Sequence, residues 1–129
     1  MAKKQTKTTL TKELDRVFSL YIRQKGMDIN GFNECYTCGA YMLWNKLQCG
    51  HFQSRRHMST RWDETNCKPQ CLACNMFRQG EQFKFGKRLD LEYGEGTAEL
   101  LEILSKKIIK FSPAEIKEKI EYYANKTKL

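Results

Sequence analysis

The sequence predicts an α+β fold: a small zinc-stabilised ββα core of treble-clef type, with an N-terminal helix and a C-terminal helical hairpin. Three observations predict it. Two Cys-x2-Cys pairs, Cys35/Cys38 and Cys71/Cys74, close the ends of one central stretch, and soft thiolates at two tight knuckles suit tetrahedral zinc. Between the pairs, two short apolar runs and a long polar segment read as a hairpin and a loop, with a helix after the last cysteine. Outside them, apolar residues recur at helical spacing.

A chain of 129 residues has room for one domain with a small core, which a metal cross-link helps to hold. The net charge of +8 is unevenly placed: residues 46–90 carry nine basic against four acidic groups, while residues 91–129 carry seven of each. Positive charge concentrated on and before the Cys/His region favours a polyanion, and so nucleic acid, as partner. No segment is long and apolar enough for a membrane span, and no apolar signal region follows the N-terminal lysines. Six cysteines in such a chain fit a reducing cytosol and metal ligation better than disulfides.

Residues 1–10 are polar and basic and read as a flexible arm or a solvated lead-in to the first helix. Residues 11–94 form the zinc-bound domain. Its first helix starts at Thr11 as N-cap, places Leu14, Val17, Phe18 and Tyr21 on one face, and stops at Gly26. Asn30-Gly31 turns the chain into the first knuckle. Tyr41–Trp44 and Leu47–Phe52, separated by Asn45-Lys46, read as a β-hairpin. Residues 53–65 lack either periodicity and read as a long functional loop. A helix follows Cys71 to about Gln79 and ends at Gly80. Residues 81–94, which mix aromatics with Lys84, Lys87 and Arg88, read as a small-core connector or as a contact to the DNA backbone. Residues 95–129 form the helical hairpin: Thr97–Lys110 carries Leu100, Leu101, Leu104 and Ile108, and Ser112-Pro113-Ala114-Glu115 combines a capping box with proline at the first helical position. The hairpin is assigned to packing or to a homodimer contact.

The residues inside the zinc loop exceed what a zinc finger needs, and their types suit phosphodiester hydrolysis. That reaction needs a base for water, a cation for the developing charge, and groups that hold both in line. His51 is the natural base because imidazole titrates near neutrality; the alternative is a structural or zinc-binding histidine, given Cys49 two residues earlier. Asn75 offers a hard amide oxygen to Mg²⁺ or Mn²⁺, or is an ordinary helix-start asparagine. Asn66 braces the loop and orients His51, or is a plain turn residue. Arg55, Arg56 and Arg61 are candidate phosphate clamps, with Lys68 and Arg78 as further DNA contacts. Asp63 and His57 are candidate extra metal ligands or partners of the base. Cys49 and Cys67 read as small buried side chains, Cys67 being the competitor if Cys71 is not a zinc ligand.

The order Cys-x2-Cys, Gly50-His51-Phe52, Arg61-Trp62-Asp63-Glu64-x-Asn66, Gln70-Cys71-x2-Cys74-Asn75 resembles the His-Asn-Asn variety of the HNH (His-Me finger) nucleases, and more narrowly the phage NinG (Rap) recombination proteins. The resemblance is most specific over residues 35–80. It extends to Tyr21-Ile22-Arg23 and to the helix beginning Phe111-Ser112-Pro113. It implies a phage protein of the bacterial host cytoplasm, a structure-specific endonuclease that cuts branched recombination intermediates such as Holliday junctions and D-loops with a divalent cation. His51 then matches the general base, Asn66 the middle asparagine, and Asn75 the position where many relatives have a metal-binding histidine. The four paired cysteines match the structural zinc ligands. Many relatives place an aspartate before the base, where this chain has Gly50; Asp63, His57 or DNA phosphate oxygens are the candidates to complete the metal shell. The alternative function is a non-catalytic zinc module that binds DNA or assists a recombinase. A zinc-stabilised protein-interaction domain is the third reading, and it predicts no salt-sensitive DNA affinity.

Overall fold

Leu10, Leu14, Val17, Phe18 and Ile22 recur at helical spacing and are all buried, which makes Lys7–Gln24 an amphipathic helix, α1. The computed structural model describes residues 6–127. Helix α1 starts earlier than Thr11 because Thr6 is its N-cap, accepting from the Thr9 backbone N–H at 3.1 Å, and because Leu10 belongs to the buried stripe. Of the expected arm over residues 1–10, residues 7–10 are therefore helical and residues 1–5 lie outside the described residues.

Two small antiparallel ribbons follow. Strand β1 (Phe32–Glu34) pairs with β2 (Tyr41–Leu43), and β3 (Gln48–His51) pairs with β4 (Cys67–Gln70). The expected hairpin between Tyr41–Trp44 and Leu47–Phe52 does not form. Asn45-Lys46, which look like its two-residue turn, lie in a 3-10 turn, Trp44–Lys46, that carries the chain from one ribbon to the other. Each strand instead takes a partner across an intervening segment: β1 and β2 flank the first cysteine knuckle, while β3 and β4 flank residues 52–66. In the second ribbon Gln48 faces Gln70, Gly50 faces Lys68, and His51 faces Cys67. Asn33 fixes the first ribbon to the end of α1, donating to the Arg23 and Lys25 carbonyls at 2.9 Å each.

Residues 53–65 contain a single helical turn, α2 (Met58–Arg61). After Cys71 the chain makes only a five-residue π-helical turn, Ala73–Phe77, because Gln79 and Glu81 both take positive φ around Gly80 and end it. Residues expected to be a connector form α3 (Gln82–Tyr93). Its fully buried Phe85 and Leu89 drive it, and Gly86 in its middle is explained by packing: a Cβ there would lie 3.2 Å from the Phe52 ring. The next helix, α4, is Thr97–Ser105, shorter than expected. Ser112 and Glu115 form the predicted capping box at the start of α5 (Pro113–Lys126).

Helices α4 and α5 do not build a hairpin core; they close different cores. Leu101 of α4 joins Tyr36, Phe85 and Leu89. Ile116 and Tyr123 of α5 join the α1 stripe together with Trp62 and Cys67, with Phe18 and Tyr123 edge to face at 4.9 Å. Glu64 locks this end, accepting from Tyr21 (2.9 Å), Lys25 (3.1 Å) and Tyr123 (3.2 Å). The result is a mixed α+β fold with small antiparallel sheets and a cysteine cluster that could hold zinc. Among the described residues no helix is long and apolar enough to cross a membrane.

Candidate functional site

The two knuckles meet. Cys35 and Cys38 lie in the turn after β1, where the Gly39 N–H donates to the Cys35 carbonyl at 2.9 Å and Gly39 adopts φ +77°. Cys71 and Cys74 follow β4, with the Asn75 N–H on the Cys71 carbonyl at 2.9 Å. All four sulfurs lie within 4.8 Å of one another, the Cys38 and Cys71 sulfurs 3.7 Å apart. Burial raises the Cys35 thiol, but hydrogen bonds from the Thr37 hydroxyl and from backbone amides outweigh it and bring the thiol down to about 6. Four sulfurs at two knuckles, one of them readily ionised, fit a tetrahedral zinc ion. The core around them is small: among the described residues, Leu47 is its one buried member besides Cys35, Cys71 and Cys74.

Beside this centre lies an open cleft of about 530 Å³ walled by Asp15, Ser19 and Arg23 of α1, by Gln48, Cys49 and His51 of β3, and by Arg55, Asn75 and Met76. His51 ends β3 and is half-buried. Its Nε2 lies 3.0 Å from the Arg61 carbonyl, which can only accept, so the proton of the neutral ring sits on Nε2 and the lone pair on Nδ1. Burial pushes the ring below its ordinary value against the pull of the Arg61 and Cys49 carbonyls, which keeps it neutral at neutral pH.

Asn66, fully buried, straps the loop beside His51. Its Oδ1 accepts from the Gln53 N–H at 2.7 Å, and its Nδ2 donates to the carbonyls of Gln53 (3.1 Å) and Thr60 (3.0 Å). Asn75 enters the cleft from the π-helical turn, its Nδ2 donating to Gln48 Oε1 at 2.7 Å. Arg55 lines the cleft, and Arg56 and Arg78 are exposed nearby in sequence.

Three expected residues are placed elsewhere or otherwise engaged. Arg61 is bound bidentately to Asp15, at 3.0 and 2.5 Å, and that carboxylate also accepts from Trp62 Nε1 at 3.0 Å; its guanidinium is committed, while its carbonyl holds His51. Asp63 caps its own turn through the Thr65 N–H at 2.9 Å and does not line the cleft. Lys68 is buried on the opposite face of the ribbon, across from Gly50; it donates to the Tyr93 hydroxyl and lies over the Tyr36 and Tyr93 rings. His57 sits half-buried at the start of α2. Asp15, Ser19 and Gln48 are cleft residues that sequence reasoning missed. Asp15 and Ser19 recur with Arg23 every four residues along α1, a polar stripe beside the apolar one, and that spacing was the available signal.

Gly50 has a structural reason. A Cβ there would lie 1.9 Å from Gln70 Oε1. Gln70 is fully buried, and its Nε2 donates to Thr37 Oγ1 at 3.0 Å and to the Gly80 carbonyl at 2.9 Å, joining the two knuckle regions. No aspartate fits at position 50 while Gln70 stays. Gly50→Ala is expected to displace Gln70 and to cost about 2–4 kcal/mol in urea unfolding; an unchanged midpoint would show that Gln70 swings aside freely.

The family model described as Bacteriophage Lambda NinG protein matches residues 1–129. No curated protein and no solved structure matches the chain.

Proposed function

Because the chain belongs to the bacteriophage Lambda NinG family, we propose that it is a divalent-metal-dependent, structure-specific DNA endonuclease of the HNH (His-Me finger) kind. Its substrates are branched recombination intermediates such as four-way junctions and D-loops. The observation that carries this reading is the His51 ring in the cleft, tethered at Nε2 to the Arg61 carbonyl and so presenting the Nδ1 lone pair. The β3–β4 ribbon and the π-helical turn after Cys71 stand for the ββα element, with zinc on Cys35, Cys38, Cys71 and Cys74 fixing their junction.

His51 Nδ1 takes a proton from a water whose oxygen forms a bond to phosphorus. The bond from phosphorus to the 3′ oxygen breaks, leaving a 5′ phosphate, and the leaving oxygen picks up a proton from solvent. A Mg²⁺ or Mn²⁺ bound beside it would neutralise charge on the phosphorane and leaving oxygen. In the cleft Asn75 would offer an amide oxygen to such an ion, and substrate phosphate oxygens would complete its shell, since Gly50 supplies no ligand and Asp63 does not line the cleft. Arg23 and Arg55 face the DNA backbone, with Arg56 and Arg78 beside them; Asp15, Arg61 and Asn66 position the loop that carries the tether.

The test is cleavage of an end-labelled synthetic four-way junction beside a linear duplex of matched sequence, with Mg²⁺, Mn²⁺ or EDTA. Metal-dependent nicking, faster on the junction, is expected. Binding without cleavage under either metal would leave a zinc-scaffolded DNA-docking module.

A further inference from the structure

Outside the four-cysteine centre, a second group of metal-ligating atoms is gathered. The sulfurs of Cys49 and Cys67 and one ring nitrogen of His51 all lie within 4.8 Å of one another. Their meeting is a consequence of the ladder. His51 and Cys67 are directly paired across β3 and β4, and Cys49 precedes His51 by two residues on the same strand, so all three side chains leave the same face of the ribbon. Cys67 lies fully buried beneath α1, whereas Cys49 and His51 reach the cleft. The group therefore has a closed side of protein donors and an open side where water or another small ligand can enter.

Core packing accounts for two small sulfur-bearing side chains under a helix. It does not account for an imidazole nitrogen held against both sulfurs on the same face, with the open side turned to the cleft. Two thiolates and an imidazole form a soft to borderline donor set that selects Zn²⁺, Co²⁺ or Cd²⁺ over Mg²⁺, and three protein ligands with one open position is a known zinc arrangement.

We propose that Cys49, His51 and Cys67 form a second site for a soft divalent cation, and that zinc bound there switches the cleft off. The binding part stands on the donor geometry alone. The inhibitory part rests on the reading of His51 as the base and follows from the ring's chemistry. A neutral imidazole has one lone pair. Whichever nitrogen carries the metal, the other carries the proton, so a liganded His51 cannot take a proton from water.

The experiment is Co²⁺ titration of the reduced, metal-free chain, followed through the sulfur-to-cobalt charge-transfer and visible d–d bands. The wild type is expected to take up a second equivalent after the first, and Cys67→Ser and Cys49→Ser are each expected to lose that second equivalent while keeping the first. Retention of the first equivalent reports a folded four-cysteine centre in each variant, and the half-buried position 49 backs up the fully buried position 67. In parallel, Zn²⁺ is titrated into Mg²⁺-supported junction cleavage, each protein normalised to its own zinc-free rate. Half-inhibition in either variant is expected to need at least about tenfold more Zn²⁺ than in wild type. A single Co²⁺ equivalent in the wild type, or a second equivalent that survives both substitutions, overturns the site whether or not DNA is cut. A second equivalent lost in both variants, in a protein that cuts nothing, supports the site and removes the nuclease reading instead. Equal zinc sensitivity in all three proteins overturns the inhibitory role.

Discussion

His51→Ala is expected to lower metal-dependent cleavage of a four-way junction by about 10²–10⁴-fold, the usual contribution of a general base, and to leave junction binding in a gel shift near that of the wild type. Binding survives because the basic side chains facing the cleft, Arg23 and Arg55, are untouched, and phosphate contacts carry most nucleic-acid affinity. The fold survives because His51 ends a strand whose backbone pairing with Cys67 does not use the side chain. Truncation also leaves an imidazole-sized space at the edge of the cleft. Added imidazole should therefore restore part of the cleavage in His51→Ala and none in a variant whose loop is merely displaced. Cleavage by the alanine variant at the wild-type rate would remove His51 as the base.

Cys74→Ser is expected to have the largest effect on stability. Structural zinc contributes about 10–16 kcal/mol of apparent binding free energy in small domains, as much as the whole stability of an ordinary domain, about 5–15 kcal/mol. Among the described residues, the cluster that would have to replace it contains Leu47 as its only buried aliphatic residue beside the cysteines. Without the metal the two ribbons lose their shared anchor. Helices α1 and α5, which pack through Phe18, Ile116 and Tyr123, should keep residual helicity while the cooperative thermal transition disappears. The measurement is circular dichroism through a melt, with zinc content determined on the same sample. A wild-type protein stripped of metal that still melts cooperatively at its original midpoint would show that the zinc is dispensable to the fold.

Much of this was readable in the sequence where the cause is local. A Cys-x2-Cys knuckle is set by four residues, and the α5 start by Ser112, Pro113 and Glu115. Pairing was less readable. The two-residue spacing at Asn45-Lys46 mimicked a hairpin turn, but which strand lies beside which is decided across the knuckle and the loop, at distances a pattern search does not reach. Helix α3 was hidden by Gly86, whose cost is offset by Phe52, a residue far away along the chain. His51 and Asn75 were legible as candidate cleft residues from their types, and Asn66 as the brace of the loop. The engagement of the Arg61 guanidinium by Asp15 was not, because the two stand 46 residues apart in sequence.

The clasp between α1 and α5 bears on how the molecule comes into being. Helix α1 is covered in part by α5, made about a hundred residues later: Leu14 and Phe18 share one core with Ile116 and Tyr123. During synthesis α1 must wait, its apolar face incompletely sheltered, until α5 has left the ribosome. The same helix supplies Asp15, Ser19 and Arg23 to the cleft wall. The support for that wall is thus completed only once α5 has been made, so a chain cut before Pro113 lacks it.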